Sequence, residues 1–337
     1  MDSINIKKLA KELNLSTSTI SRAFRGSSDI NKATKERVLS LAYELSYEPN
    51  HHASNLREQK SNTIAVIVPE IANNFFSQAI NGIERIAREK KYHILIYLTD
   101  DDFEKEITFI NNLHSGRVDG IIMSVSGEAH NHDYLNKLKK KKIPLVFFDR
   151  VYEDIDTAKV TSNDYESSFL ATEHLINSGC KRIAYLVINK SYSIGKMRMR
   201  GYIDALAAFN IPYQDDLIID CSNELEKNQE LLTHVFKDLK PDGVFASVER
   251  LAIATYKVCN KHGIKIPEDI KIISFSSLEI ASLLNPSLST ITQPAFEMGT
   301  ESANLLFKAI KSVDDQNIND QVVCKSEIIV RRSSANI

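Results

Sequence analysis

The spacing of apolar residues over the first 47 positions predicts three short helices. Apolar side chains recur at helical intervals in three stretches, 6–13, 20–24 and 38–45. Ser16 and Asn31 stand where the N-caps of the second and third helices are expected, and Asn14 tolerates the left-handed turn that two closely joined helices need. This pattern fits a helix-turn-helix, and it also fits a generic helical cap.

From residue 63 onward, the pattern alternates between strands and helices. Apolar runs at 64–68, 94–98 and 120–125 are separated by helical runs around 76–90 and 103–113. This alternation predicts parallel strands joined by crossover helices. Three phrases then recur in order at nearly one offset: 118–121 at 241–244, 142–144 at 265–267, and 64–66 at 183–185. The repeat favours two similar α/β halves with a cleft between them over a coincidence of common α/β phrases.

The distribution of charge distinguishes the helical head from the rest of the chain. Residues 1–60 contain ten Lys and Arg against seven Asp and Glu, whereas the remaining residues contain 32 against 37. A basic head on an acidic body indicates that the head contacts an anionic partner. The overall composition, 43% hydrophobic and 26% charged, is typical of a globular protein.

The sequence contains no segment typical of a membrane or exported protein. No apolar run approaches the ~18 residues of a membrane span, and the first 25 residues lack the apolar core of a signal peptide. The four cysteines, at 180, 221, 259 and 324, form no C-x-x-C pair, which is typical of reduced thiols. We therefore expect a cytoplasmic protein with no membrane partner.

Motifs that would indicate catalysis are missing from the sequence. It contains no G-x-G-x-x-G, no G-x-x-x-x-G-K-[ST] and no G-x-S-x-G. His130 and His132 form an H-x-H with no cluster of further ligands nearby, which disfavours a metal site. We expect a binding protein with no catalytic residue, no cofactor and no metal.

The segment Ala10-x3-Asn14-x5-Ile20 fits a helix-turn-helix. It has a small residue where two helices touch, a turn residue, and an apolar anchor on the second helix. The outward positions of that second helix carry hydroxyls and arginines, which suit a DNA major groove. They are Thr17, Ser18, Ser21, Arg22 and Arg25.

Motifs along essentially the whole chain resemble the LacI/GalR family of transcription regulators. They are IKKLA (6–10), LSTSTISRAF (15–24), TKERV (34–38), LSYEPN (45–50), IVPEIANNFF (67–76), RVDGII (117–122), FDR (148–150), PSLSTI (286–291) and RRS (331–333). The resemblance implies an α/β protein with a three-helix head and a hinge helix. These precede an effector domain of two parallel-sheet subdomains, similar to periplasmic binding proteins.

The resemblance also implies domain boundaries. They are residues 1–48 for the helix-turn-helix domain, 49–62 for the hinge helix and linker, and 63–337 for the ligand-binding and dimerisation domain. Within the last domain, the N-subdomain takes about 63–161 and 292–322, and the C-subdomain about 162–291 and 323–337.

By resemblance, the head residues divide into three groups. Base edges would be read by Thr17, Ser18 and Arg22. Phosphates would be held by Ser16, Thr19, Ser21, Asn31 and Tyr47, of which Ser16 and Asn31 also fit a purely capping role. In the hinge, Leu56 would wedge into the minor groove beside Ala53, or it would pack between paired hinges.

The carboxyl ends of the predicted strands carry candidate ligand residues, because doubly wound sheets bind ligands there. By resemblance they are Asn73, Phe75, Asp149, Arg198, Glu249 and Ser276. An ion pair between Asp149 and Arg198 without ligand is the alternative for those two. The chain departs from the family at Val248-Glu249, at Ser276 and in the order Asn163-Asp164, so one hydroxyl acceptor is lost or moved.

Together these features predict a sequence-specific DNA-binding transcription regulator, a repressor that acts as a homodimer. A small molecule between the two subdomains, sugar-like or a purine or nucleoside, would control its affinity for operator DNA. The alternative from another class is a solute-binding receptor whose helical head mediates protein contacts. The absent signal peptide and the basic head disfavour that alternative.

Overall fold

The computed structural model describes residues 5–24, 27–45, 47, 61–113, 117–127, 132–312 and 319–335. The chain divides into two compact units, Met1–Ser61 and Asn62–Ile337. We call the first unit the head and the second unit the body.

Three helices form the head: α1 (Ile6–Leu13), α2 (Thr17–Phe24) and α3 (Lys32–Glu44). Asn14 ends α1 in the left-handed conformation, with φ of 54°. The Ser16 hydroxyl accepts the Thr19 backbone N–H at 3.1 Å, and the Asn31 side chain accepts that of Thr34 at 2.7 Å. The turn and both predicted N-caps are therefore confirmed.

A small apolar core holds the three head helices together. Its buried members are Leu9, Ala10, Ile20, Ala23, Val38 and Ala42. They come from the apolar positions of all three helices, so helical periodicity alone identifies them. The surface of α2 that faces away from this core carries polar side chains.

The described part of the body contains two six-stranded sheets. The first consists of β1 (Thr63–Val68), β2 (His93–Leu98), β3 (Gly120–Met123), β4 (Leu145–Phe148), β5 (Ala158–Ser162) and β11 (Gln321–Cys324). The second consists of β6 (Ile183–Val187), β7 (Ile218–Asp220), β8 (Gly243–Ala246), β9 (Lys271–Phe275), β10 (Ser289–Thr292) and β12 (Glu327–Ile329). The strand orders are β11-β5-β4-β3-β1-β2 and β12-β10-β9-β8-β6-β7.

Helices connect and cover the strands of both sheets. They are α4 (Asn74–Glu89), α5 (Phe103–Leu113), α6 (Asn136–Lys140), α7 (Asp164–Asn177), α8 (Ser193–Ala208), α9 (Leu225–Asp238), α10 (Glu249–His262) and α11 (Ala295–Lys311). Within the described ranges, every helix is too short or too polar to span a bilayer. The four cysteines are free thiols, as predicted.

The internal repeat appears as equivalent strand pairing in the two sheets. Ile64 of β1 pairs with Gly120 of β3, and Ile183 of β6 pairs with Gly243 of β8 in the same parallel register. Among the strands of the described ranges, every pair is parallel except β10 with β12. The predicted α/β fold of two parallel-sheet halves is therefore confirmed.

The chain crosses between the two sheets three times. It leaves the first sheet after β5, returns through α11 after β10, and crosses again between β11 and β12. These crossovers place the carboxyl ends of β4 and β5 next to the beginnings of α7 and α8. The cleft described below is built at this place.

Candidate nucleic-acid interface and ligand cleft

The beginning of α2 presents a group of linked hydroxyls to solvent. The Ser16 hydroxyl lies 2.7 Å from that of Ser18 and 2.8 Å from that of Thr19. Thr17 and Ser18 are exposed, and Thr19 is half-buried. Hydroxyls and free N–H groups at a helix N-terminus suit an anionic partner such as phosphate.

Arg22 lies on the exposed surface of α2 and forms an ion pair with Asp29. Its Nη1 lies 2.6 Å from Asp29 Oδ2, and both side chains are nearly half exposed. Hydrogen bonds from Ser27 and Arg22 keep the pKa of Asp29 below its usual range. This ion pair holds the Arg22 guanidinium near the protein surface, and solvent screening makes the pair weak.

We expect Asp29→Asn to tighten DNA binding by about two- to fivefold, because Arg22 then gives up no ion pair when it contacts a base. Fluorescence anisotropy with duplex DNA at fixed salt measures the change. Glu36→Gln, at an exposed position on α3, removes the same charge without freeing Arg22 and serves as the control. Weaker binding by Asp29→Asn alone would instead assign Asp29 a role in positioning Arg22.

The remaining predicted head residues lie at the edges of the three-helix unit. Asn31 is exposed at the start of α3, and the Tyr47 ring packs against Phe24 with 5.8 Å between ring centroids. Burial raises the pKa of the Tyr47 hydroxyl. Ser21 is half-buried on α2, whereas Ala53 and Leu56 lie outside the described residues.

In the body, Asp149 follows β4 directly and is 4% exposed. It adopts a left-handed backbone conformation with φ of 60°, which Asp tolerates better than most residues. Its Oδ2 accepts a long hydrogen bond of 3.5 Å from Ser124 and lies 3.9 Å from Arg150 Nε. Burial raises the pKa of Asp149 to about 6, although Arg150 and Arg198 partly oppose that shift.

Hydrogen bonds connect Arg198 on α8 with α7 and with the crossovers between the sheets. Its Nε donates to Asp164 Oδ1 at 2.6 Å, and its Nη1 donates to the Ser247 carbonyl at 2.7 Å. Asp164 Oδ2 accepts from the Ser162 hydroxyl at 2.8 Å, which accepts from Gln293 at 3.0 Å. This chain of bonds connects a cleft arginine with two of the three crossovers.

Several polar contacts join the two sheets across the cleft. Arg250 forms an ion pair with Glu70. Gln78 donates to the Ser277 carbonyl at 3.4 Å, and the Val151 N–H donates to the Ser193 hydroxyl at 3.1 Å. A change in the separation of the subdomains must break or remake these contacts.

Arg150, next to Asp149, is also engaged by both halves. Its guanidinium pairs with Asp101 and lies 4.9 Å from the centroid of the Tyr192 ring. Asp101 in turn accepts from Asn223 at 3.4 Å. The positive charge of Arg150 is therefore shared with a carboxylate other than Asp149.

Four further predicted cleft residues make internal contacts. Asn73 caps α4 by accepting the Phe75 N–H at 2.9 Å, and Phe75 is 7% exposed with its ring against Phe76. Glu249 Oε2 accepts the Ser276 hydroxyl at 3.2 Å, and burial raises the pKa of Glu249. These side chains support the cleft ends of their strands and helices.

A cavity of about 200 Å³ opens between the two halves beside Asp149. Its wall consists of Asp149, Val151, Glu153, Thr161, Ser162, Asn163, Asp164, Tyr165, Glu166, Ser193, Ile194, Met197 and Val323. Among the described residues, the wall includes Asp149 but none of the other five predicted cleft residues. Arg198 does not line the cavity, but it donates a hydrogen bond to Asp164, which does.

Sequence reasoning missed Asp29 as the partner of Arg22, and Asp164 as the partner of Arg198. The inverted order Asn163-Asp164 marked an unusual carboxylate, but nothing local indicated which cation it binds. Arg198 is therefore paired with Asp164, and not in the lone pair with Asp149 that was the alternative to ligand binding.

Two family models together match most of the chain. Residues 5–50 match the bacterial regulatory proteins of the lacI family, and residues 61–329 match the periplasmic binding proteins and sugar binding domain of the LacI family. The ribose operon repressor of Halalkalibacterium halodurans is 31% identical over 310 residues, which cover 91% of this chain and 90% of that protein.

Solved structures show the same architecture. A LacI family transcriptional regulator from Enterococcus faecium with bound ribose is 29% identical, covers 82% of this chain and 99% of that one, and has a TM-score of 0.73. A lac repressor dimer bound to operator and an anti-inducer covers 99% of both chains with a TM-score of 0.86, at 20% identity that shows the fold alone. The chain thus belongs to the LacI family of bacterial regulatory proteins, and it is a DNA-binding regulator rather than an enzyme.

Proposed function

We propose that this regulator represses transcription by binding a pseudo-palindromic operator as a homodimer, and that a small molecule in the cleft controls its operator affinity. One observation carries the DNA-binding part of the proposal. A capped helix, α2, exposes hydroxyls and an arginine on the surface opposite the core of a three-helix head. Such a helix fits the major groove, and paired heads suit half-sites about one helical turn apart.

In this proposal, Thr17, Ser18 and Arg22 read base edges. Arg22 can donate two bonds to guanine, and short hydroxyls can contact either partner of a base pair. Phosphates are held by Ser16, Thr19, Ser21, Asn31 and Tyr47. The cap hydroxyl of Ser16 at the start of α2 supports this division, because helix N-termini suit phosphate oxygens.

The segment 49–62 is assigned to a hinge that binds the minor groove, with Leu56 as the wedge and Ala53 beside it. An apolar wedge unstacks a base step and kinks the duplex, which costs a few kcal/mol that additional contacts offset. Residues 1–48 and 63–337 are the domains on either side of this hinge.

Control by a ligand is supported by the polar contacts across the cleft. A ligand could break or strengthen the ion pair between Arg250 and Glu70 and the hydrogen bond from Gln78 to the Ser277 carbonyl. Either change alters how closely the two halves approach each other. Closure alters the separation of the hinges, and allosteric coupling of this kind is typically about 1–3 kcal/mol. The sugar-binding family model and the similar ribose-bound structure favour a sugar-like effector over a purine or nucleoside.

Exposed apolar side chains on the body support the homodimer. Leu95 and Ile96 are each 42% exposed on the edge strand β2, and Leu283 is 79% exposed. Unpaired edge strands with apolar side chains tend to be covered by a second chain. Because a repressor acts on DNA, we place the protein in the cytoplasm.

Selection of bound sequences from a random duplex pool, with and without candidate sugars and nucleosides, tests this function. We expect a two-fold symmetric site whose affinity falls steeply with salt. Arg22→Ala should lower discrimination at one base pair of each half-site by about ten- to a hundredfold, because a bidentate contact to that base is lost.

The outcomes separate the proposed parts. Enrichment of no sequence under any condition would refute sequence-specific regulation and favour a solute receptor with a head that binds proteins. Unchanged base preference in Arg22→Ala would remove Arg22 from the base-reading residues. Lys11→Ala, outside α2, is the matched control for loss of a positive charge in the head.

A further inference from the structure

The cavity between the halves of the body has an acidic wall. Its charged members are Asp149, Glu153, Asp164 and Glu166, and among the described residues no Lys, Arg or His belongs to the wall. The remaining members are neutral polar or apolar side chains. A ligand that enters this cavity therefore meets carboxylates first.

The basic residues near the cavity are already paired. Arg198 donates to Asp164 and to a backbone carbonyl, and its guanidinium lies 3.7 Å from the centroid of the Phe275 ring. Arg150 pairs with Asp101. An anionic ligand would have to displace one of these carboxylates before it could use either guanidinium.

Lys159 is engaged as well. Its Nζ donates to the Glu153 carbonyl at 2.9 Å and lies 3.9 Å from the Glu153 carboxylate. Its side chain is 7% exposed, so it is held against its own half of the body. Lys159 thus offsets part of the charge of Glu153 and leaves the other carboxylates of the wall unaffected.

Of the two buried carboxylates of the wall, Asp149 and Asp164, Asp149 has the weaker partners. It is 4% exposed and lines the cavity, yet only one of its oxygens has partners, a 3.5 Å hydrogen bond from Ser124 and Arg150 Nε at 3.9 Å. Its other oxygen makes no hydrogen bond within the described part of the chain. A buried carboxylate whose nearest cation lies 3.9 Å away and is shared with Asp101 is incompletely compensated, which favours a cationic group from outside to complete the site.

Two helices begin at the cavity, and their N-termini favour negative charge. Each is equivalent to about half a positive charge. The first turn of α7 already contains Asp164 and Glu166, which use the favourable end of that helix. The first turn of α8 contains no acidic residue, so its partial positive charge offsets Asp149 only in part.

A metal ion does not account for the acidic wall. In the described ranges, no three His, Cys, Asp or Glu side chains are placed to hold one. The wall instead mixes hydroxyls, such as those of Thr161 and Ser193, with apolar Ile194 and Met197. That mixture suits an organic ligand with both hydroxyl groups and a carbon skeleton.

We propose that the effector is a small polyhydroxylated molecule bearing a protonated amine, of the amino-sugar class, and that Asp149 binds its ammonium group. This inference rests on the proposed ligand control of the cleft and specifies the chemistry of the ligand. The volume of about 200 Å³ fits a ligand of monosaccharide size. The ammonium group supplies a closer counter-ion for Asp149 than Arg150 does, and the paired arginines disfavour sugar phosphates and sugar acids.

Matched pairs of ligands that differ by one amine test the proposal on the full-length protein. We would use glucosamine with glucose, galactosamine with galactose, mannosamine with mannose, and 2-amino-1,3-propanediol with glycerol. Thermal shift identifies the pair that binds best, and calorimetry measures its affinity. We expect the amine member to bind at least tenfold more tightly than its hydroxyl partner, about 1.4 kcal/mol.

Asp149→Asn keeps the shape of the side chain and should abolish that preference. Asp156→Asn removes the same charge from an exposed site in the same connection and should leave the preference intact. Operator binding without ligand shows that each variant is folded. If Asp149→Asn does not fold, the pH dependence described next decides the matter with the unaltered protein.

The preference should also depend on pH. Burial raises the pKa of Asp149 to about 6, so affinity for the amine should fall as pH decreases through that value, while affinity for the hydroxyl partner stays flat. The charged groups that face Asp149 are Arg150, Arg198, Asp164, Glu153 and Glu166.

Three results would overturn the proposal. They are equal or tighter binding of the hydroxyl member, an amine preference that survives Asp149→Asn with no pH dependence, and no binding of any amine in the panel. If operator selection still succeeds in those cases, the regulator function stands and only the amine assignment fails. If operator selection fails as well, the proposed function itself is wrong.

Discussion

Asp164→Ala should lower the free energy of unfolding by about 3–5 kcal/mol, the largest effect that we expect from a polar substitution in the body. The variant leaves the Arg198 guanidinium 3% exposed without its carboxylate, and it also removes the acceptor of the Ser162 hydroxyl. Breaking a buried ion pair costs more than forming it contributes, because one charge stays desolvated. Equilibrium denaturation in urea measures the loss.

Two companion variants separate charge from packing. Asp164→Asn keeps an acceptor for Arg198 and should lose less stability. The double variant Asp164→Ala with Arg198→Met removes both charges and should recover much of the loss, since no buried cation remains. A cost below about 1 kcal/mol for Asp164→Ala alone would mean that the Ser247 carbonyl and the Phe275 ring are sufficient for Arg198.

Gly299→Ala should lower the free energy of unfolding by about 1–3 kcal/mol or more, although alanine is the better helix former. Gly299 lies in α11 where that helix packs against α4, and an added Cβ would lie 2.0 Å from the Ala79 carbonyl oxygen. Gly82 of α4 faces α11 equally closely, with an added Cβ 2.2 Å from the Phe296 carbonyl oxygen. The two helices must separate to admit a methyl group, because the obstructing atoms are backbone.

Urea denaturation also measures this effect, with Asn304→Ala as the control. Asn304 is exposed on the same helix, so that variant gains helix propensity without meeting a neighbour. We expect the control to be neutral or slightly stabilising. Equal stability of Gly299→Ala and the unaltered protein would show that α4 and α11 can shift apart at little cost.

Most of the secondary structure could be predicted from the sequence. The apolar run at 64–68 became β1 at Thr63–Val68, the helical run at 103–113 became α5 at Phe103–Leu113, and the run at 76–90 became α4 at Asn74–Glu89. These predictions succeed because periodicity and capping act between residues that are neighbours in the chain. The helix α4 begins two residues before the predicted position, because the Asn73 side chain caps it there.

Glu106 shows where prediction from the local sequence pattern fails. A glutamate within a helical run is expected in water, yet Glu106 is fully buried in α5. Its carboxylate accepts bonds from the hydroxyls of Tyr134 and Tyr152 and from the Ser126 N–H, and burial raises its pKa. Ser126 and Tyr134 come from the connection between β3 and β4, and Tyr152 comes from the connection between β4 and β5. Only the assembly of these connections around α5 makes the burial tolerable.

The helical head, the α/β repeat and the strand ends that carry the candidate ligand residues could all be predicted from the sequence, because they follow from spacing along the chain. The tertiary structure alone decided which charges meet. Asp164 and Arg198 lie on separate helices, whereas Asp149 follows β4, and the distances among them depend on how α7 and α8 dock beside β4 and β5. Because Coulomb and desolvation energies depend on distance and burial, the charge of the cleft emerges only from that docking.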